Sequence, residues 1–185
     1  MKRTFKPGYF TIAATGTAQP LAGTAVTAAV APSLQPVNVT VASSAIFELM
    51  DWVKLVDPST SPITEETLQV IKIPDSTHVT LSKVQGEGVA NAYTTSSFVQ
   101  LSLSINNVYI ETKAGNTGII FVGSNPAVSS STGAYGITAI GFVPAGVAPT
   151  WFSSAETMGN NPDASGDYWV VGTSGDKYMV TLGRT

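Results

Sequence analysis

A two-residue alternation limits what this chain can fold into more than any other feature. Val99, Leu101, Leu103 and Ile105 alternate with Gln100, Ser102 and Ser104. That period puts one set on a buried face and the other toward solvent, as a β-strand does and a helix does not. After Asn106-Asn107, residues 108–112 alternate again. Ala114-Gly115-Asn116-Thr117-Gly118 follows, rich in residues that accept positive φ or bond their own backbone. Residues 119–122 then return as an apolar run, so 98–123 reads as strands closed by a β-hairpin.

The same grammar recurs along the chain. Val37, Val39 and Val41 alternate with Asn38 and Thr40. Residues 46–52 read as one helical turn or a tight crossing. Strands are predicted over 52–56, 65–73 and 78–84, separated by Asp57-Pro58, Pro74-Asp75-Ser76 and Gly86-Glu87-Gly88. Further on, a strand is predicted over 135–143, an aromatic anchor at Trp151-Phe152, and a final hairpin of 168–171 with 177–182 across Gly172–Asp176. No apolar stripe of helical period reaches ten residues. The predicted fold class is therefore all-β, an antiparallel β-barrel or β-sandwich.

Residues 1–36 are different. Pro7, Pro20, Pro32 and Pro36 punctuate an Ala/Thr-rich run, and proline cannot donate to a ladder. An extended N-terminal arm is expected there, with a short strand over 9–13. A short helix over 25–30 is weakened by β-branched Thr24, Val26 and Thr27. The expected division is an arm, 1–36; a barrel-like domain, 37–104; and a sandwich-like domain, 105–185, which can pack with the second as one unit.

Composition bears on function here. Charged residues make up 11% of the chain, against about 25% in an average soluble domain. Small neutral side chains take their place, and a surface of this kind is buried against neighbours at low desolvation cost. A subunit of an assembly is favoured. The net charge of −3 argues against nucleic-acid binding through a basic face. The charge is uneven: +3 over residues 1–36, −4 over 37–104 and −2 over 105–185. The absence of cysteine excludes disulfides and thiolate chemistry. No stretch approaches the ~18 apolar residues of a membrane span, so no membrane partner is expected. Lys6, Pro7 and Gly8 interrupt what would be the apolar region of a signal peptide after Met1-Lys2-Arg3.

Several stretches together resemble a known group. They are Val37–Val41, Ser43-Ser44, Phe47, Asp51-Trp52-Val53, the acidic strand over 66–73, the 77–82 strand and Gly88-Val89. This run resembles a small β-barrel module of tailed-bacteriophage structural proteins. Residues 107–123 and the Asp167-Tyr-Trp-Val…Gly-Thr-Ser-Gly-Asp-Lys-Tyr close resemble such proteins too. In the module's pattern the Asp before the second strand follows Gly, whereas here it follows Met50. A His often sits in its last loop, whereas the single His of this chain is on the predicted fourth strand. The resemblance implies a non-enzymatic virion protein: a capsid decoration (cement) protein on the capsid surface, or a tail, collar or head-fibre component. Its implied partners are the major capsid protein or other virion proteins and further copies of itself, a trimer being the favoured homo-oligomer. Lys2, Arg3, Phe5, Lys6, Tyr9 and Phe10 are the expected partner contacts, at the tip of the arm.

Residues that could carry chemistry are few. His78 is the only histidine, and no Gly-x-Ser-x-Gly elbow accompanies it. A hydrogen-bonded strand residue is expected. Glu65-Glu66 and Asp163/Asp167 are the acid pairs that a glycosidase would need, but the chain lacks the length and repeats of a depolymerising spike. Asn160, Asn161, Asp163 and Asp167 offer oxygens without EF-hand spacing, and read as an Asx-rich turn. Gly115-Asn-Thr-Gly118 has no phosphate-loop lysine. Trp52, Trp151 and Trp169 could form a sugar-binding platform, though core or interface packing is the simpler use. No catalytic residue, cofactor or metal is expected.

Overall fold

A computed structural model of the chain describes residues 2–4, 9–102, 107–113, 115–123, 126, 128, 141–143, 150–153 and 168–183. Among them there are fifteen strands and no α-helix, so the chain is all-β and its sheets are antiparallel. In chain order the strands are β1 (Lys2–Thr4), β2 (Phe10–Thr11), β3 (Gln19–Pro20), β4 (Gly23–Ala25), β5 (Val37–Thr40), β6 (Trp52–Asp57), β7 (Thr64–Asp75) and β8 (His78–Ser82). They continue as β9 (Phe98–Leu101), β10 (Asn107–Thr112), β11 (Ile120–Gly123), β12 (Gly141–Val143), β13 (Thr150–Ser153), β14 (Trp169–Val171) and β15 (Lys177–Gly183). The chain divides into two compact units: Ala22–Leu103, and Met1–Leu21 together with Ser104–Thr185.

The 22–103 unit is one six-stranded sheet in the order β4-β9-β6-β7-β8-β5. The alternation seen in the sequence builds its core. Val37 and Val39, Val53 and Leu55, Leu68 and Val70, Val79 and Leu81, Val99 and Leu101 are all buried, two from each of five strands. Register brings them face to face, with Val53 opposite both Leu68 and Leu101, and Val37 opposite Leu81. Each such side chain contributes about 1.5–3 kcal/mol on burial. The sheet curls into a half-barrel, and just past the ends of its outer strands Thr27 N donates to Thr40 O and Ala42 N to Ala25 O. Gln100 breaks the simple alternation. It is buried too, on a strand between β4 and β6 where it stands opposite Gly23 and Lys54.

The other unit holds two sheets, β1-β15-β10-β13 with β2 also on β15, and β12-β11-β14-β3. Its buried side chains include Ile12, Leu21, Ile110, Ile120, Val122, Trp169, Val170, Val171 and Val180.

Three expectations need correction. The hairpin over 98–123 does not form: β10 pairs with β13 and β15, while β11 pairs with β12 and β14. The final hairpin fails in the same way, since β14 pairs with β11 and β3, whereas β15 pairs with β10, β1 and β2. Both turns pass the chain from one sheet to the other. Trp169, Val170 and Val171 are all buried, so β14 has both faces covered and needs neighbours on both edges. The short helix over 25–30 is absent as well. Ala25 ends β4 and Val26 forms a bridge with Val41, which suits the β-branched residues there.

Residues 1–36 also differ from an extended arm along their described part. Strands β1 to β3 pair within the first-and-last unit, and β4 pairs with β9 in the other. Of the strand expected over 135–143, only 141–143 lies within the described residues, as β12.

Candidate functional site

Three carboxylates hold loops in place among the described residues: Asp57 and Asp176 are buried and Glu66 is partly buried. Glu66 lies on β7 in line with Leu68 and Val70, so alternation turns it to the inner face, opposite Leu55. Its carboxylate accepts from Ala90 N (2.9 and 3.0 Å), Asn91 N (2.8 Å), Asn91 Nδ2 (3.0 Å) and Tyr93 Oη (3.1 Å). Lys83 Nζ is 2.9 Å away. Asp57, fully buried at the end of β6, accepts from Thr94 N (3.0 Å) and Oγ1 (2.7 Å) and from Ser59 N (3.0 Å) and Oγ. These two acids, on neighbouring strands, fasten the loop from Lys83 to Thr94. A cavity of about 380 Å³ opens beside that loop, lined in part by Pro32, Leu34, Lys83, Glu87 and Val89. Gly88 on its wall lies so close to the 33–35 segment that a Cβ there would meet the carbonyl oxygens of Ser33 and Gln35.

The electrostatics follow from these bonds. At Asp57, burial opposes ionisation, but the hydrogen bonds from Ser59 and Thr94 outweigh it and hold the carboxyl well below its usual range. At Glu66, burial is likewise outweighed by the amides of Ala90 and Asn91, Lys83 and Tyr93, so its pKa is also lowered. Burial, with the Glu66 charge beside it, pushes the Tyr93 hydroxyl up. Both carboxylates are anions that act as acceptors.

Asp176 does the same work in the other unit. Buried in the turn between β14 and β15, it accepts from Thr117 N (2.8 Å) and Gly118 N (2.9 Å). Asn116 adds a reciprocal pair: Lys177 N donates to its Oδ1 and its Nδ2 to Lys177 O, each at 2.8 Å. The 115–118 turn is thereby fixed to the 172–177 turn. Gly115 takes φ 95°, as the turn reading of this stretch requires.

The residues singled out by sequence are scattered over these frames. His78 opens β8, and its Nδ1 lies 2.9 Å from both carboxylate oxygens of Asp75. The Thr77 amide and His78 hold that exposed carboxyl at about 2. Glu65 and Glu66 point to opposite faces: Glu65 is exposed, with its carboxylate 3.8 Å from Lys54 Nζ, while Glu66 is enclosed. The two cannot flank one sugar. Trp52 is on the outer face of β6, Trp169 is buried on β14, and Trp151 lies on β13. Of the expected partner contacts, Lys2 and Arg3 lie on β1, opposite Gly183 and Leu182. Phe10 stacks on the buried Tyr178 ring at 5.5 Å, and Lys113 Nζ sits 5.5 Å from the centre of the exposed Tyr9 ring. Phe5, Lys6, Asn160, Asn161, Asp163 and Asp167 lie outside the described residues.

Sequence reading missed Asp57, Asp176 and the role of Glu66. The one available signal was Glu66 itself, an acid in phase with the buried Leu68 and Val70 of β7. Comparison of the chain with protein-family models, with curated proteins and with solved structures returned no match.

Proposed function

We propose that this chain is a non-enzymatic structural protein of a bacteriophage virion, acting as a capsid decoration protein through subunit contacts. One observation carries the structural role. The carboxylates of Asp57, Glu66 and Asp176 are engaged by backbone amides, so these acids serve to fix loops rather than to do chemistry. Fixed loops suit a protein that works by presenting a surface, because little ordering entropy is then lost on contact. We also read the six-stranded sheet as a closed barrel, on the Thr27–Thr40 and Ala42–Ala25 hydrogen bonds. A closed sheet has no free edge for unwanted strand pairing. The resemblance to tailed-phage modules and the sparse surface charge supply the virion setting. Copies repeated over a shell would add up weak contacts.

The test is the stoichiometry of purified particles, by gel densitometry against the major shell protein. One copy, or a simple fraction, per shell subunit is expected. A few to a few dozen copies per particle would move the chain to the tail, collar or fibres. Absence from particles would overturn the virion reading.

A further inference from the structure

Residues 9–21 meet the rest of their unit as a peptide meets a binding site. Ile12 N donates to Asp176 O (2.8 Å), Gly175 N to Ile12 O (2.9 Å), Gly16 N to Gly172 O (3.1 Å) and Leu21 N to Tyr168 O (2.8 Å). Strand β2 pairs with Lys177 and Tyr178 on β15, and β3 with Trp169 and Val170 on β14. These partners all lie in one continuous stretch, 168–178. It is far off in the chain: Tyr178 Oη donates to Leu21 O across 157 positions. Ile12 and Leu21 are the buried anchors of the contact.

The segment carries its own shape. Gln19 accepts from Ala13 N through Oε1 (2.9 Å) and donates through Nε2 to Thr11 O (3.1 Å). Thr17 N donates to Ala14 O across a turn in which Gly16 takes φ 72°. These bonds are internal and travel with the segment, so redocking it orders few new groups. Its place in the sheets also favours release. β3 is the outermost strand of its sheet, and β2 lies on the edge of β15 away from β10. Each of their ladders is two residue pairs long, and short edge elements open at lower free energy than core strands. β1 pairs further along β15 and moves with the segment. Leu21 and Ala22 belong to different units, so a single peptide link joins the segment to the inserted one.

We propose that this segment is exchangeable: the 168–178 site of one copy takes residues 9–21 of a second copy of this chain, through the same bonds that it makes within one chain. Exchange replaces each contact by an identical one, so it costs little, and it gains wherever copies are held side by side. The inserted unit keeps all of its strands in either state. The exchange does not depend on the virion setting.

The chain has no cysteine, so introduced thiols report exchange without background. Thr11 and Lys177 are register partners, within disulfide reach across antiparallel strands. Full-length Thr11→Cys and Lys177→Cys chains, unfolded together, refolded and oxidised, are expected to give a covalent heterodimer on non-reducing gels. The same mixture with exposed Lys72→Cys in place of Lys177→Cys controls for chance collision and should give little. The chain carrying both Thr11→Cys and Lys177→Cys tests the opposite state. Oxidised in dilute solution, it closes the bond within itself, which shows that both variants fold and holds the segment at home. In sedimentation velocity it should stay monomeric at concentrations where its reduced form dimerises. A heterodimer yield no higher than the control would overturn the proposal. So would a reduced form that stays monomeric throughout, or an oxidised form that associates as readily as the reduced one, because another surface would then join the copies.

Discussion

Glu66 and Asp57 tie acidity to stability. An acid whose pKa is lower folded than unfolded contributes its full stabilisation above the unfolded value, and loses it as pH falls through the folded one. Both acids are shifted down from ordinary values of 4.5 and 3.8. The urea midpoint should therefore hold steady from neutral pH to about 5 and fall between about pH 4.5 and 2. Glu66→Gln removes one of the two acids. It also leaves Lys83 without its partner and sets an amide NH₂ toward amide donors. A loss of about 2–3 kcal/mol at pH 7 is expected, together with a shallower decline on acidification. An unchanged pH profile would show that Glu66 is not the titrating clamp. Little of this was readable beforehand. The alternation over 65–73 showed which residues share a face, but the donors of Ala90 and Asn91 arrive from more than twenty positions away. Gly88→Ala tests the same loop sterically. The new methyl meets two backbone carbonyls that cannot rotate aside, and a cost of about 2 kcal/mol or more is expected in the same urea measurement.

Strands are local and their partners are not, and that difference separates what could be read from what could not. Val37, Val39, Val53, Leu55, Val79 and Leu81 were placed on strands by their period alone, and they line the core. The hairpins over 98–123 and 168–182 were inferred from turn-forming residues. Such residues mark where a chain reverses or crosses, and the local pattern is the same for both. Asp176 decides between them in the last quarter of the chain. Its bonds to Thr117 and Gly118 fix one crossing turn against the other, and the flanking strands pair within separate sheets. Asp176→Ala should then leave the Thr117 and Gly118 amides without their acceptor and cost about 1–2 kcal/mol. Hydrogen exchange of Thr117 and Gly118 should accelerate most, with residues 22–103 unaffected. Equal acceleration in both units would contradict a local clamp.

At the scale of the whole molecule, the order of the chain and the order of the units differ. Residues 22–103 form a unit with its own sheet and core, inserted between the two segments that make the other. An arm reading of residues 1–36 makes their removal harmless to the body. The observed pairing makes a different prediction. Deleting residues 1–21 removes β1, β2 and β3, and with them Ile12 and Leu21, from one unit and leaves every strand of the other in place. The tryptophans report the units separately, since Trp52 belongs to the inserted one and Trp151 and Trp169 to the other. In urea, fluorescence of single-tryptophan chains carrying the deletion should show the Trp169 transition moved to much lower denaturant or lost, because two buried anchors and three strands are gone. The Trp52 transition should stay where it was. Loss of both transitions together would mean that the units fold as one cooperative block. Retention of both would mean that residues 1–21 are dispensable, as an arm would be.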